Sequence, residues 1–234
     1  MRVIRRAPRT NGYLALLTDL DGTLIRSEDA ICEALADSFA EVGARIPSKQ
    51  KILSMFGLPV EEMLIALGGV GRWEEARIAL FITAYKHHYP IRMRVGATRI
   101  ANAKETVDSI SAGGYPVCLI TSERRSNAQF ILETLALSGA VRQMISRDDV
   151  VHFKPNPEPL LLASRLVGLA PEDCIYIGES PYDIQAGLAA GAYVAAVASG
   201  GYSEQSLLAC EPDLFLNDIS ELTALFDGAA PVTQ

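Results

Sequence analysis

The sequence predicts an α/β fold, a doubly wound parallel sheet carrying an inserted α-helical cap. Three observations predict it. An apolar run, Leu14-Ala15-Leu16-Leu17, ends abruptly in Thr18-Asp19-Leu20-Asp21-Gly22, as a strand buried on both faces ends at the edge of a sheet. From Gly96 onwards, short apolar runs alternate with segments of helical spacing. Between these regions, residues 47–93 keep a helical character without strand-like alternation. The expected division is a core domain of residues 1–26 and 95–234 and a helical cap of residues 27–94.

The elements follow in order. Ser27-Glu28-Asp29 can cap a helix whose apolar face is Ile31, Leu35, Phe39 and Val42, and Gly43 ends it. The cap then offers Ile52, Met55 and Phe56, next Met63, Leu64 and Leu67, next Trp73, Ile78, Phe81, Ile82 and Tyr85, punctuated by Gly68-Gly69, Gly71 and Pro90. A helix carrying Ile100, Val107 and Ile110 stops at Gly113-Gly114. Strands are expected at 116–120, 141–145, 174–177, 193–198 and 214–216, and helices at 124–137, 157–167, 183–190, 203–209 and 219–225. Right-handed crossovers put the C-terminal ends of parallel strands on one edge. That edge would gather Asp19, Thr121, Lys154 and Glu179, which are far apart in the chain.

A chain of 234 residues, 49% hydrophobic, can bury one large core with a smaller insertion. A net charge of −7 and a pI near 5.1 argue against nucleic acid as a partner, because phosphate backbones need basic surface. Neither excludes a small phosphorylated metabolite held by a local lysine and a cation. Cys32, Cys118, Cys174 and Cys210 form no Cys-x-x-Cys pair, and Cys118 and Cys174 lie in apolar runs. The expectation is a reduced, cytoplasmic protein, monomer or homodimer. Arg2, Arg5, Arg6 and Arg9 read as a frayed basic tail, and the apolar stretch after them is too short for a signal peptide or membrane span.

The chemistry concentrates at strand ends. Asp19 and Asp21, one residue apart, repel each other unless a cation or a proton intervenes. An ionised Asp19 can serve as nucleophile and a protonated Asp21 as general acid. Thr121 ends a strand and can hold a phosphoryl oxygen. Lys154, in Lys154-Pro155-Asn156-Pro157, can offset the carboxylates and a transferring phosphoryl group. Gly178-Glu179 ends another strand, with Asp183 four residues after Glu179 at the start of a helix, where it also reads as an N-cap. Hard oxygen ligands of this kind suit Mg²⁺ better than zinc.

These four stations resemble the motifs of the haloacid dehalogenase-like hydrolase superfamily, in its phosphoglycolate phosphatase and beta-phosphoglucomutase-like branch with a helical cap and Rossmann-like core. Asp19-Leu20-Asp21-Gly22-Thr23-Leu24 resembles its first motif, Thr121 its second, Lys154-Pro155-Asn156-Pro157 its third, and Gly178-Glu179-Ser180-Pro181-Tyr182-Asp183 its fourth, with Glu179 standing for the usual Asp. The resemblance spans about Tyr13 to Phe226 and implies a phosphomonoester hydrolase working through an aspartyl-phosphate. Asp19, Asp21, Thr121 and Lys154 would be catalytic. Gly22, Thr23 and Ser122 would bind the phosphoryl group, Ser122 through its backbone. Mg²⁺ would lie among Asp19, the Asp21 carbonyl, Glu179 and Asp183, the last directly or through water. Asp21 decides against haloacid dehalogenases and phosphonate-cleaving relatives, whereas a sugar-phosphate mutase and a non-catalytic phosphometabolite-binding protein remain as alternatives. Arg26 stands where the family often has Asp and reads as an ion-pair partner of a cap acid. A cap cation for an anionic substrate would come from Arg45, Lys49, Arg72, Arg77, Lys86, His87, His88 or Arg92.

Overall fold

The computed structural model describes residues 1–8, 12–67 and 73–226. Arg9, Gly68, Gly69, Gly71 and Arg72, singled out above, lie outside the described residues. Along the chain come β1 (Arg2–Val3), β2 (Ala15–Thr18) and β3 (Ile25–Arg26), then α1 (Glu28–Glu41), α2 (Lys49–Leu53), α3 (Val60–Ala66) and α4 (Glu75–Gly96). There follow β4 (Thr98–Arg99), α5 (Ala103–Ala112), β5 (Val117–Ile120), α6 (Arg125–Thr134), β6 (Gln143–Ile145) and α7 (Glu158–Leu166). The remainder is β7 (Cys174–Gly178), α8 (Pro181–Ala190), β8 (Tyr193–Val197), α9 (Glu204–Leu208) and β9 (Leu214–Leu216), closed by a 3₁₀ turn at Ile219–Leu225.

The sheet order is β1-β9-β8-β7-β2-β5-β6. Every neighbouring pair is parallel except β1 with β9. The chain runs outward from β2 through β5 to β6, then returns to β7 on the other flank of β2. That reversal makes a crevice at the carboxyl ends of β2, β5 and β7, where open α/β sheets receive ligands. The strands are buried on both faces, which explains their continuous apolar runs. Side chains still alternate: Leu16, Leu119, Ile175 and Ile177 pack on one side, and Leu17, Cys118, Ile120 and Tyr176 on the other.

Helices α1 to α4 leave and re-enter the core through a two-stranded antiparallel ribbon, β3 with β4. Within this helical insertion α1 packs along α4. Phe39, Trp73 and Phe81 interlock edge to face with centroids 4.8–5.9 Å apart. Helix α4 runs through Pro90 instead of stopping there, a departure from the expected break. The tertiary contacts of Tyr85, Tyr89 and Met93, all buried, outweigh the one backbone hydrogen bond that proline removes. Among the described residues, no helix is long and apolar enough to cross a membrane.

The amino-terminal arginines are not a frayed tail. β1 adds an antiparallel edge to β9, and Arg5 and Arg6 converge on the fully buried Asp213. Arg6 grips it with two bonds, Nε to Oδ1 at 2.7 Å and Nη2 to Oδ2 at 2.6 Å, while Nη2 also reaches the Ala192 carbonyl. Asp213 in turn accepts the Val194 amide at 2.9 Å. Asp213→Ala would strand that amide and release both arginines; the expected cost is about 2 kcal/mol, read as a lower urea midpoint with unchanged slope.

Candidate active site

β2 delivers Asp19 to the sheet edge, where its amide donates to the Ile177 carbonyl at 3.0 Å and its carboxylate is buried. Lys154 arrives from the loop after β6. Its Nζ donates to Asp19 Oδ1 at 2.7 Å and to Asp183 Oδ1 at 2.6 Å. Asp183 is buried at the third position of α8, not at its N-cap as the sequence suggested. Ser180 is the cap: its amide and hydroxyl donate to Asp183 Oδ2 at 3.0 and 2.6 Å, and the Asp183 amide returns a bond to Ser180 Oγ. Tyr176, from the buried strand β7, donates its hydroxyl to Asp183 Oδ1 at 2.6 Å. This tyrosine was missed because it sits inside an apolar run; a fully buried tyrosine needing a hydroxyl partner was the available signal.

Burial disfavours each of these charges, and the neighbours decide the outcome. It opposes the ammonium of Lys154, but Asp183 and Asp19 outweigh it and hold that pKa above the ordinary value. It opposes ionisation of Asp183, but Lys154, Ser180 and Tyr176 prevail and hold it below the usual carboxylate range. Asp19 is pushed up to about 7, first by burial and then by Asp183, with Lys154 acting against both. Asp21 is pushed up to about 7 as well, by burial and by Glu123, although the Ser27 hydroxyl donates to its Oδ1 at 2.6 Å. Ser27 therefore serves Asp21 and makes no side-chain cap to α1, contrary to the expectation from sequence.

Glu179 is the carboxylate of the site left with an unpartnered oxygen. It is buried, its Oε2 has no hydrogen-bond partner, and burial followed by Asp183 and Asp19 pushes its pKa well up. Glycines make its room. A Cβ on Gly22, whose φ is +78°, would come within 2.5 Å of Glu179 Cγ, and a Cβ on Gly200 would come within 2.5 Å of Glu179 Oε2. An orphaned buried carboxylate oxygen beside a second carboxylate calls for a proton or a cation. Asp183, by contrast, is already held by Lys154, Tyr176 and Ser180. Among the described residues, no three His, Cys, Asp or Glu side chains converge tightly enough to form a ready-made metal cluster.

The phosphoryl-binding candidates also sit at this edge. Thr121 Oγ1 accepts the Glu123 amide at 3.1 Å and so keeps its proton for another acceptor. Thr23 Oγ1 is buried without a partner. The Gly22 carbonyl accepts the Ser199 hydroxyl at 2.6 Å. Ser122 spends its hydroxyl on the Gly57 carbonyl of the insertion at 2.6 Å, which leaves only its backbone for a ligand. Tyr202 Oη, 3.1 Å from the carbonyls of Ser54 and Phe56, and Glu61, paired with Arg124 and Arg147, further join insertion to core. Between them lies a cavity of about 30 Å³, lined by Asp19, Asp21, Phe56, Leu58, Met63 and Glu123 among others.

The cationic candidates of the insertion have other partners. Lys49 pairs with Asp29, Arg92 with Asp37 and Glu33, and His88 with Glu41, while Arg77 donates to the Val42 and Gly43 carbonyls. Arg45, Lys86 and His87 are exposed. Arg26 is exposed on β3, and the ion pair expected for it is not formed among the described residues.

Residues 16–197, the span that holds Asp19, Thr121, Lys154 and Asp183, match the family model of haloacid dehalogenase-like hydrolases. The chain belongs to this family. The hydrolase is 28% identical over 208 residues to Pyrophosphatase PpaX of Bacillus velezensis, covering 89% of this chain and 94% of that protein. A predicted phosphoglycolate phosphatase from Haemophilus somnus superposes with a TM-score of 0.84 at 19% identity, covering 93% of this chain and 99% of that one. A candidate beta-phosphoglucomutase from Thermotoga maritima superposes with a TM-score of 0.70 at 20% identity, covering 90% and 97%. These two likenesses bear on the fold and agree with the α/β architecture. The family match makes the chain a hydrolase.

Lys154→Met would leave Asp19 and Asp183 buried without their counter-charge, at an expected cost of about 3 kcal/mol near neutral pH. Both carboxylates would then titrate above their unfolded values, so the fold would bind more protons than the unfolded chain. Stability of the variant should therefore recover as pH falls, with a urea midpoint closer to wild type in acid than in base.

Proposed function

We propose that the hydrolase is a Mg²⁺-dependent phosphatase of a small phosphorylated metabolite, phosphoglycolate-like or a sugar phosphate, acting through an aspartyl-phosphate. One observation carries the reading: Asp19, buried at the end of the central strand and held by Lys154 at 2.7 Å, shares a cavity with a second carboxylate, Asp21, two residues away. One group is positioned to attack and the other to exchange a proton, which is how paired carboxylates divide acid and nucleophile.

Asp19 attacks phosphorus as the ester P–O bond breaks, and Asp21, its pKa raised, gives its proton to the departing oxygen. A water then attacks the phosphorus, Asp21 takes a proton from it, and the Asp19–phosphorus bond breaks to release inorganic phosphate. Thr121, Thr23 and the backbone at Gly22 and Ser122 offer donors to the phosphoryl oxygens, and Lys154 offsets the charge on Asp19. The donor set fits Mg²⁺: Asp19, the Asp21 carbonyl and the orphaned Glu179 would hold it directly, with Asp183 contributing through water because its own oxygens are engaged. When bound, the ion would neutralise charge on the transferring phosphoryl group. Residues 27–94 act as a cap that excludes bulk water, hinged at the β3–β4 ribbon.

The reading is checked by phosphate release from a panel of small phosphomonoesters and pyrophosphate, with Mg²⁺ and with chelator. Wild-type turnover should need Mg²⁺ and fall by a factor on the order of a thousand or more in Asp19→Asn. Turnover that survives the substitution would remove the nucleophile from Asp19.

A further inference from the structure

The cavity at the reacting carboxylates has no cation in its own wall. Three of its lining residues, Asp19, Asp21 and Glu123, are acids, and most of the others are apolar. Lys154, the nearby buried ammonium, is committed to Asp19 and Asp183. Glu123 is placed deliberately by the surrounding structure. Its amide is tied to Thr121 Oγ1, its carbonyl accepts the Arg147 amide at 3.0 Å, and Asn127 donates to its Oε2 at 2.9 Å. It also lines a second cavity of about 20 Å³, so a ligand enlarging either space meets the same carboxylate. The arginines of that second cavity, Arg124 and Arg147, are paired with Glu61, and its Lys86 is exposed.

We propose that Glu123 sets the substrate class by charge, accepting a hydrogen bond from a leaving group that is neutral or cationic and carries hydroxyl or ammonium donors. Leaving groups that carry a carboxylate or a second phosphate are rejected. The proposal rests on the phosphatase reading and narrows it: of the two substrate classes named there, it favours the sugar phosphate and excludes the phosphoglycolate-like one. Burial pushes Glu123 up to about 7 against the pull of Asn127 and Arg147. Above that pH an anionic leaving group would bring its charge against a carboxylate in a cavity whose own wall holds no cation, and like charge placed against the wrong ligand is an effective source of discrimination. A hydroxyl or ammonium there would gain a charge-assisted bond.

The test is kcat/KM for glycerol phosphate, phosphoethanolamine, phosphoglycolate and pyrophosphate, each with Mg²⁺, on wild type, E123D, E123Q and E123K. Ratios between substrates on one preparation cancel any loss of folded protein. Wild type should favour the first two by about tenfold or more; E123D should keep the order, E123Q should shrink the preference, and E123K should reverse it. A wild type that prefers phosphoglycolate or pyrophosphate would overturn the proposal. So would ratios that E123Q and E123K leave unmoved while hydrolysis continues, and in both cases the phosphatase reading survives. Hydrolysis of none of the esters, a generic aryl phosphate included, would overturn both readings.

Discussion

A single buried ammonium holds the carboxylate edge of the sheet together. Lys154 comes from a loop, Asp19 from the end of the central strand and Asp183 from the first turn of a helix, and none of the three would tolerate burial alone. Two carboxylates share one lysine, and the surplus negative charge is met by hydroxyls from Ser180 and Tyr176. The same bonds fix the start of α8 and the path of the loop after β6, so the charge balance and the local fold are one arrangement.

Around that clamp, the site depends on space as much as on charge. Gly178, Gly22 and Gly200 stand where a Cβ would collide with Asp183 or Glu179. The vacated volume lets two acidic side chains lie inside the sheet edge instead of swinging into solvent. The helical insertion completes the enclosure through Ser122, Tyr202 and Glu61, and it supplies apolar wall rather than charge. A surface made this way excludes water from the carboxylates, which raises the pKa of Asp21 and strengthens every charge contact within.

Much of this was legible in the chain. The strand-and-helix alternation from Gly96 onward appeared with boundaries displaced by one to a few residues, and β9 coincided with its expected range. Asp19, Thr121, Lys154, Glu179 and Asp183 do gather at one edge, because parallel strands joined by right-handed crossovers leave no other arrangement. The readings that failed involve partners distant in sequence. The arginines at the amino terminus looked free because Asp213 lies 207 residues along the chain from Arg6. Ser27 looked like a cap because local pattern cannot show that Asp21 claims its hydroxyl. Pro90 looked like a break because propensity carries no information about the packing of α4 on α1.

The sequence by itself therefore determined the class of fold, the order of the stations and the chemical types assembled at the sheet edge. Hydrophobic period and residue chemistry are local properties, and they survive being read one residue at a time. Only the tertiary structure decided which group each charge faces: Lys154 between Asp19 and Asp183, Tyr176 beneath them, Glu179 left with an unpartnered oxygen, and Glu123 brought over the cavity beside Asp21. Those pairings rest on distances of a few ångströms between segments far apart in the chain, and in a water-poor interior such distances set both protonation and the charge a ligand must carry.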